Sequence, residues 1–150
     1  MATLISENGN ACIEVENVDD VRIAGVILEA GAKKSDTLLK WGNSGYSGSS
    51  STPGVGSDIF ARVGGPNDSR YSEVSTDSMV EINSANVIID HTWLWRADHD
   101  VGGSVRDSKN YVDNALRVHG DDVTLYGLFA EHALGDLVSW DGDRGKTYFM

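Results

Sequence analysis

The run Trp93-Leu-Trp95-Arg96-Ala-Asp98-His99-Asp100 gathers two indoles, a guanidinium, two carboxylates and an imidazole into one short stretch. An indole face attracts the C–H face of a sugar ring, and a neighbouring carboxylate accepts a hydroxyl proton or orients a water. Asp98, just beyond Trp95, is placed to accept sugar hydroxyls, and Arg96 to pair with either carboxylate. A more distant carboxylate joins them. Counting eight residues from Val21, Val87 and Val123 lands on Glu29, Trp95 and Glu131. If these segments stack as strands, Trp95 and Glu131 become neighbours about 5 Å apart in one column. The competing reading is a Trp that partly covers the core beside a solvated Glu. Asp and His also invite a metal, but no recognised ligand spacing is present, and neither metal nor cofactor is expected.

The remaining chemistry-bearing residues are less convergent. His91, His119 and His132 are scattered and read as hydrogen-bonded turn or surface residues. His132 follows Glu131, so within a strand it points the opposite way. The Ser-rich residues 47–52 lack the surroundings of a nucleophile elbow. Asp141-Gly-Asp-Arg-Gly145 is a turn without EF-hand spacing. Asn67-Asp-Ser69 fits a glycosylation sequon, a pattern with many chance matches.

The elements that position these residues repeat. Cys12–Asn17 then Val21–Glu29, Val80–Asn83 then Val87–Trp95, and Leu116–His119 then Val123–Glu131 are each two short alternating segments. Tight polar turns (Val18–Asp20, Ser84–Asn86, Gly120–Asp122) join them. Alternation puts Ile13/Val15, Val80/Ile82 and Leu116/Val118 on one face, with Glu14, Glu81 and Arg117 on the other. Leu38–Trp41 with Ile59–Val63, and Leu137–Trp140 with Thr147–Met150, are weaker copies. Two loops interrupt the spacing: 43–57, rich in Gly, Ser and Thr, and 99–114, polar with Gly102-Gly103. Without them each repeat is about 20–25 residues, within the solenoid range. The expectation is an all-β chain, a parallel β-helix (β-solenoid) of four to five coils over residues 1–150, preferred to a β-sandwich, which needs no internal repeat. Its open ends and missing capping helix suggest a piece of a longer protein, with self-association through those ends.

Composition bounds the partners. The 150 residues suit one domain, and 40% hydrophobic with 23% charged residues can bury a core. Twelve basic against twenty-three acidic side chains give a net charge of −11, which disfavours nucleic acid and anionic lipid. No apolar run approaches the ~20 residues of a membrane span, and no signal peptide is evident. The single Cys12 rules out an intrachain disulfide and a structural zinc cluster.

Asp90–His99, Leu116–His132 and Gly145–Phe149 together resemble glycoside hydrolase family 55, over the chain from about Ile13 onward. That resemblance implies a right-handed parallel β-helix, part of the second of two such domains, in an inverting exo-β-1,3-glucanase (laminarinase). It implies that Trp95 stacks on a glucosyl unit, that Asp98 binds its hydroxyls, and that Glu131 helps position the attacking water. The general acid is another Glu, expected just beyond Met150, so the chain alone is expected to be inactive. The resemblance further implies a secreted parent and a β-1,3-glucan ligand. The alternative is a non-catalytic polysaccharide-binding or structural solenoid. A pectate-lyase-like calcium site is weaker, because no clustered Asp/Lys/Arg arrangement is evident.

Overall fold

The computed structural model describes residues 1–65, 73–100, 103–105 and 109–150. Its strands form two parallel sheets. The larger orders β1(Ala2–Ser6), β3(Arg22–Ala30), β5(Gly54–Val63), β7(Val87–Arg96), β11(Thr124–Glu131) and β13(Lys146–Tyr148). The smaller orders β12(Val138–Trp140), β10(Tyr111–Val118), β6(Ser75–Ile82), β4(Ser35–Trp41) and β2(Ile13–Val15). The chain passes from the smaller to the larger sheet and back, adding one strand to each sheet on every pass. Between β7 and β10 a short antiparallel pair, β8(His99–Asp100) and β9(Gly103–Ser104), stands apart.

The expected alternation holds in the smaller sheet. Val15, Leu39, Val80, Ile82, Leu116 and Val118 are buried. On the opposite face Glu14, Lys40, Glu81 and Arg117 align in one column of alternating charge. Lys40 Nζ bonds Glu14 at 2.9 Å, and an exposed pair of this kind is worth about 0–1 kcal/mol.

Each of β3, β5, β7 and β11 carries one left-handed residue: Gly25 (φ 67°), Asp58 (51°), His91 (52°) and Gly127 (61°). The register places these four at one level across the sheet. The kink reverses the alternation. In β7, Val87 and Ile89 are buried before His91, and Thr92, Leu94 and Arg96 after it. Trp93 and Trp95 therefore face outward together. A second left-handed column, Asp20, Asn86, Asp122 and Arg144, lies in the turns between the sheets, where Asp and Asn tolerate positive φ.

Several boundaries differ from the sequence expectation. The loop assigned to 43–57 ends sooner, because Gly54 begins β5. Gly54 faces inward over the buried Trp41, and a Cβ there would come within 2.8 Å of the indole. Glycine is thus a strand residue that makes room for a large ring. The loop assigned to 99–114 is likewise shortened by β8, β9 and the start of β10 at Tyr111. The strands β4, β6 and β10 begin earlier than their apolar residues suggest, because buried hydroxyls and amides occupy the inward positions. Ser35 Oγ donates to Thr76 Oγ1 at 3.0 Å, and Thr76 Oγ1 lies 2.8 Å from the Ser78 carbonyl. Ala2–Ser6, unassigned in sequence, pairs with β3 as an edge strand. The sequon at Asn67 lies outside the described residues.

Candidate functional site

The site lies on the outward face of the larger sheet, beyond the kink. Register brings Glu29, Arg62, Trp95 and Glu131 into one column. Beside it run Ile27, Phe60, Trp93 and Phe129. The pairing of Trp95 with Glu131 is the one the eight-residue count predicts. Arg62, which that count did not include, stands between Glu29 and Trp95. It forms a close ion pair with Glu29, so this end of the column carries a neutralised pair. A count started from Gly54 would have found it.

Trp95 is held on several sides. Its ring stacks on Trp93 with centroids 5.8 Å apart and planes at 24°, and His99 lies tilted 5.2 Å away. Gly65 (φ 97°) backs it so closely that a Cβ would fall 2.6 Å from the indole. The half-exposed Trp93 donates from Nε1 to Glu131 Oε2 at 2.7 Å. Phe60 meets the Trp93 ring edge-on at 6.3 Å.

Asp98 sits just past the end of β7. His99 Nδ1 bonds Asp98 Oδ1 at 2.8 Å, and His132 Nε2 lies 3.5 Å from Oδ2. The hydrogen bond from His99, aided by the nearby His132 and by the Trp95 indole, holds the Asp98 carboxyl below its ordinary range. Asp98 is therefore an ionised acceptor at neutral pH. His132 reaches it because β11 ends at Glu131 and His132 itself is left-handed (φ 62°). The strand-based expectation that His132 points away is corrected by that turn.

The base of the loop is fastened from below. Arg96 is buried and donates from Nη2 to the Lys109 carbonyl at 2.9 Å. Asn110 Nδ2 bonds the Ala97 carbonyl at 3.2 Å. Arg96 thus belongs to the inward face rather than to the outward carboxylates. A rigid base of this kind fixes where Asp98 and His99 begin.

The other polar residues are engaged in the fold. His91 pairs closely with Asp58, and His119 bonds Asp141 at 3.0 Å. In the Asp141–Gly145 turn, Arg144 bonds Asp122 at 2.7 Å and Asp121 at 3.3 Å. It holds the Asp122 carboxyl below its usual range. Among the described residues no group of three His, Cys, Asp or Glu is arranged to hold a metal ion.

Two parallel sheets, the larger one kinked and carrying an aromatic and acidic outer face, define a pectate lyase-like β domain. The chain belongs to the LAM55 pectate lyase-like domain family, whose model matches residues 1–150, in agreement with the glycoside hydrolase family 55 resemblance. An exo-β-1,3-glucanase of Streptomyces sp. (strain SirexAA-E / ActE) is 41% identical over 150 residues, covering 99% of this chain and 24% of the glucanase. The structure of sacteLam55A from Streptomyces sp. SirexAA-E superposes with a TM-score of 0.86 at 38% identity, over 97% of this chain and 25% of that one. A glucose complex of a glutamate-to-alanine variant of sacteLam55A gives 0.85 at 37% identity, with the same coverage. The chain spans about a quarter of the length of these relatives. It is a glucan hydrolase-related domain.

Proposed function

We propose that the chain is the cleft-bearing segment of an inverting exo-β-1,3-glucan hydrolase, wound as a right-handed parallel β-helix of about four to five coils. The strict passage between two parallel sheets supports the winding. The carrying observation for the function is that Trp95, Asp98 and Glu131 share one outward surface in a chain of this family. Trp95 offers a stacking face to a glucosyl ring. Asp98, held ionised, accepts its hydroxyls. Glu131 orients the attacking water.

Inversion requires a second carboxyl on the opposite side of the scissile bond, about 6.5–9.5 Å from the first, to protonate the leaving oxygen. In this reading it comes from the continuation of β13, a few residues past Tyr148 and opposite Glu131, so these 150 residues alone bind glucan without cleaving it. Water is the nucleophile, and no cofactor enters. The parent protein acts outside the cell on a polysaccharide. The outermost strands β1, β13, β2 and β12 present edge hydrogen-bonding groups that pair with further strands of the parent or with a second copy.

Titration calorimetry with β-1,3- and β-1,4-linked gluco-oligosaccharides tests the reading. Binding confined to the β-1,3 series, and weakened by Asp98→Ala at unchanged circular dichroism, is the expected result. A folded protein indifferent to β-1,3-glucan would overturn it.

A further inference from the structure

We propose that Trp93 is the positioning residue for Glu131, an inference that rests on the reading of Glu131 as the water-orienting carboxylate. In register Trp93 lies opposite Phe129, and Glu131 opposite Trp95. The indole of Trp93 therefore reaches diagonally to Glu131, and Nε1 donates to Oε2 at 2.7 Å. Among the described residues Trp93 is the hydrogen-bond partner of that carboxylate. One oxygen is fixed, and Oε1 is left to accept from water.

The chemistry of the donor matters. A glutamate that orients water must hold one oxygen still, although its side chain turns about several bonds. An indole N–H only donates. It anchors the carboxylate without supplying the full positive charge of a Lys, Arg or protonated His. Its ring also packs against two aromatic neighbours. Trp95 stacks on it at 5.8 Å, and Phe60 meets it edge-on at 6.3 Å. Phe60 in turn packs edge-on against His91 at 5.7 Å, at the kink of β7. The left-handed column, the aromatic pair and the carboxylate are thus one mechanical chain. The kink turns Trp93 outward, Phe60 and Trp95 hold its plane, and the N–H sets Glu131.

Trp93→Phe keeps an aromatic ring and removes the N–H. In the full-length protein it should lower kcat on β-1,3-glucan about 10- to 100-fold, as expected for a lost hydrogen bond to a charged group, with KM within about threefold. Combined with Glu131→Gln it should slow the enzyme no further than Glu131→Gln alone, because the two residues act as a unit. A raised KM at unchanged kcat would assign Trp93 to sugar stacking and overturn the positioning role. Full activity of Trp93→Phe beside an inert Glu131→Gln would overturn it too, while leaving the glucanase reading intact. Full activity of Glu131→Gln would instead refute that reading. The contact has its own readout that needs no turnover: the Trp93 indole N–H resonance, assigned by its loss in Trp93→Phe. It should move in Glu131→Ala, and an unmoved resonance would overturn the inference.

Discussion

Glu131 lies opposite Trp95 in the register of β7 and β11, yet its carboxylate is bound by Trp93, two residues earlier on β7, at 2.7 Å. Both indoles face outward because the left-handed His91 reverses the alternation of β7. Backbone conformation at one residue thereby sets which side chains share the outward surface. The same column continues past Trp95 to Arg62, whose charge is engaged by Glu29. A strong cation thus stands two strands away from Glu131, already paired.

Removing the stacking face should weaken glycan binding without unfolding the sheets. Trp95→Ala is expected to cost about 1–2 kcal/mol of affinity for β-1,3-gluco-oligosaccharides, the order of an aromatic stacking contact with its buried area. That is roughly 5- to 30-fold in Kd by titration calorimetry. Equal affinity in the variant would remove Trp95 from the sugar site.

Gly65 should be as sensitive as Trp95 itself. A Cβ at that position meets the indole at 2.6 Å, and φ is +97°. Gly65→Ala is expected to lose about 1–3 kcal/mol of stability from strain and overpacking. It should also displace the Trp95 ring, so tryptophan fluorescence and oligosaccharide affinity change together. A stability loss with unchanged affinity would mean that the ring keeps its place.

The Asp98 carboxyl gives a pH signature. Its hydrogen bond from His99 holds the folded-state pKa below the ordinary 3.8. The unfolded chain therefore takes up the proton first. Ionised Asp98 contributes stability that is fully present above the ordinary value and is lost as pH falls through the folded one. Melting curves of the wild type and Asp98→Asn should differ near neutral pH and converge in acid. A gap that persists below that range would show that the charge on Asp98 is not what stabilises.

The hydroxyl ladder in the smaller sheet should be a structural requirement. Thr76→Val keeps the shape of the side chain but removes the acceptor for Ser35 Oγ, whose donor is then buried without its partner. Urea unfolding should show a loss of about 1–3 kcal/mol. A variant as stable as the wild type would imply that Ser35 finds another acceptor.

Much of this architecture was legible in the residue order. The alternations around Ile13, Val80 and Leu116 marked the smaller sheet, and the eight-residue count aligned Trp95 with Glu131. That count works because β3, β5, β7 and β11 each contain one kink at the same level. The kink itself was hidden, since Gly25, Asp58, His91 and Gly127 share a backbone conformation and no common chemistry. Strand starts built on Ser35, Thr37, Thr76 and Ser78 went unassigned because hydroxyls, not methyls, fill those inward positions. Gly54 read as loop because its purpose is space for Trp41. The Trp93–Glu131 bond is a diagonal contact between side chains, which spacing along the chain does not specify.

The most direct test of the glucanase account is glucose release from laminarin by the full-length protein that carries this chain, with wild-type Glu131 and with Glu131→Gln. Steady release by the wild type is expected. In the variant kcat should fall at least about a hundredfold, the scale of a lost general acid–base contribution, with oligosaccharide binding retained. A folded wild type that binds laminarin and releases nothing, or a variant as active as the wild type, would contradict it.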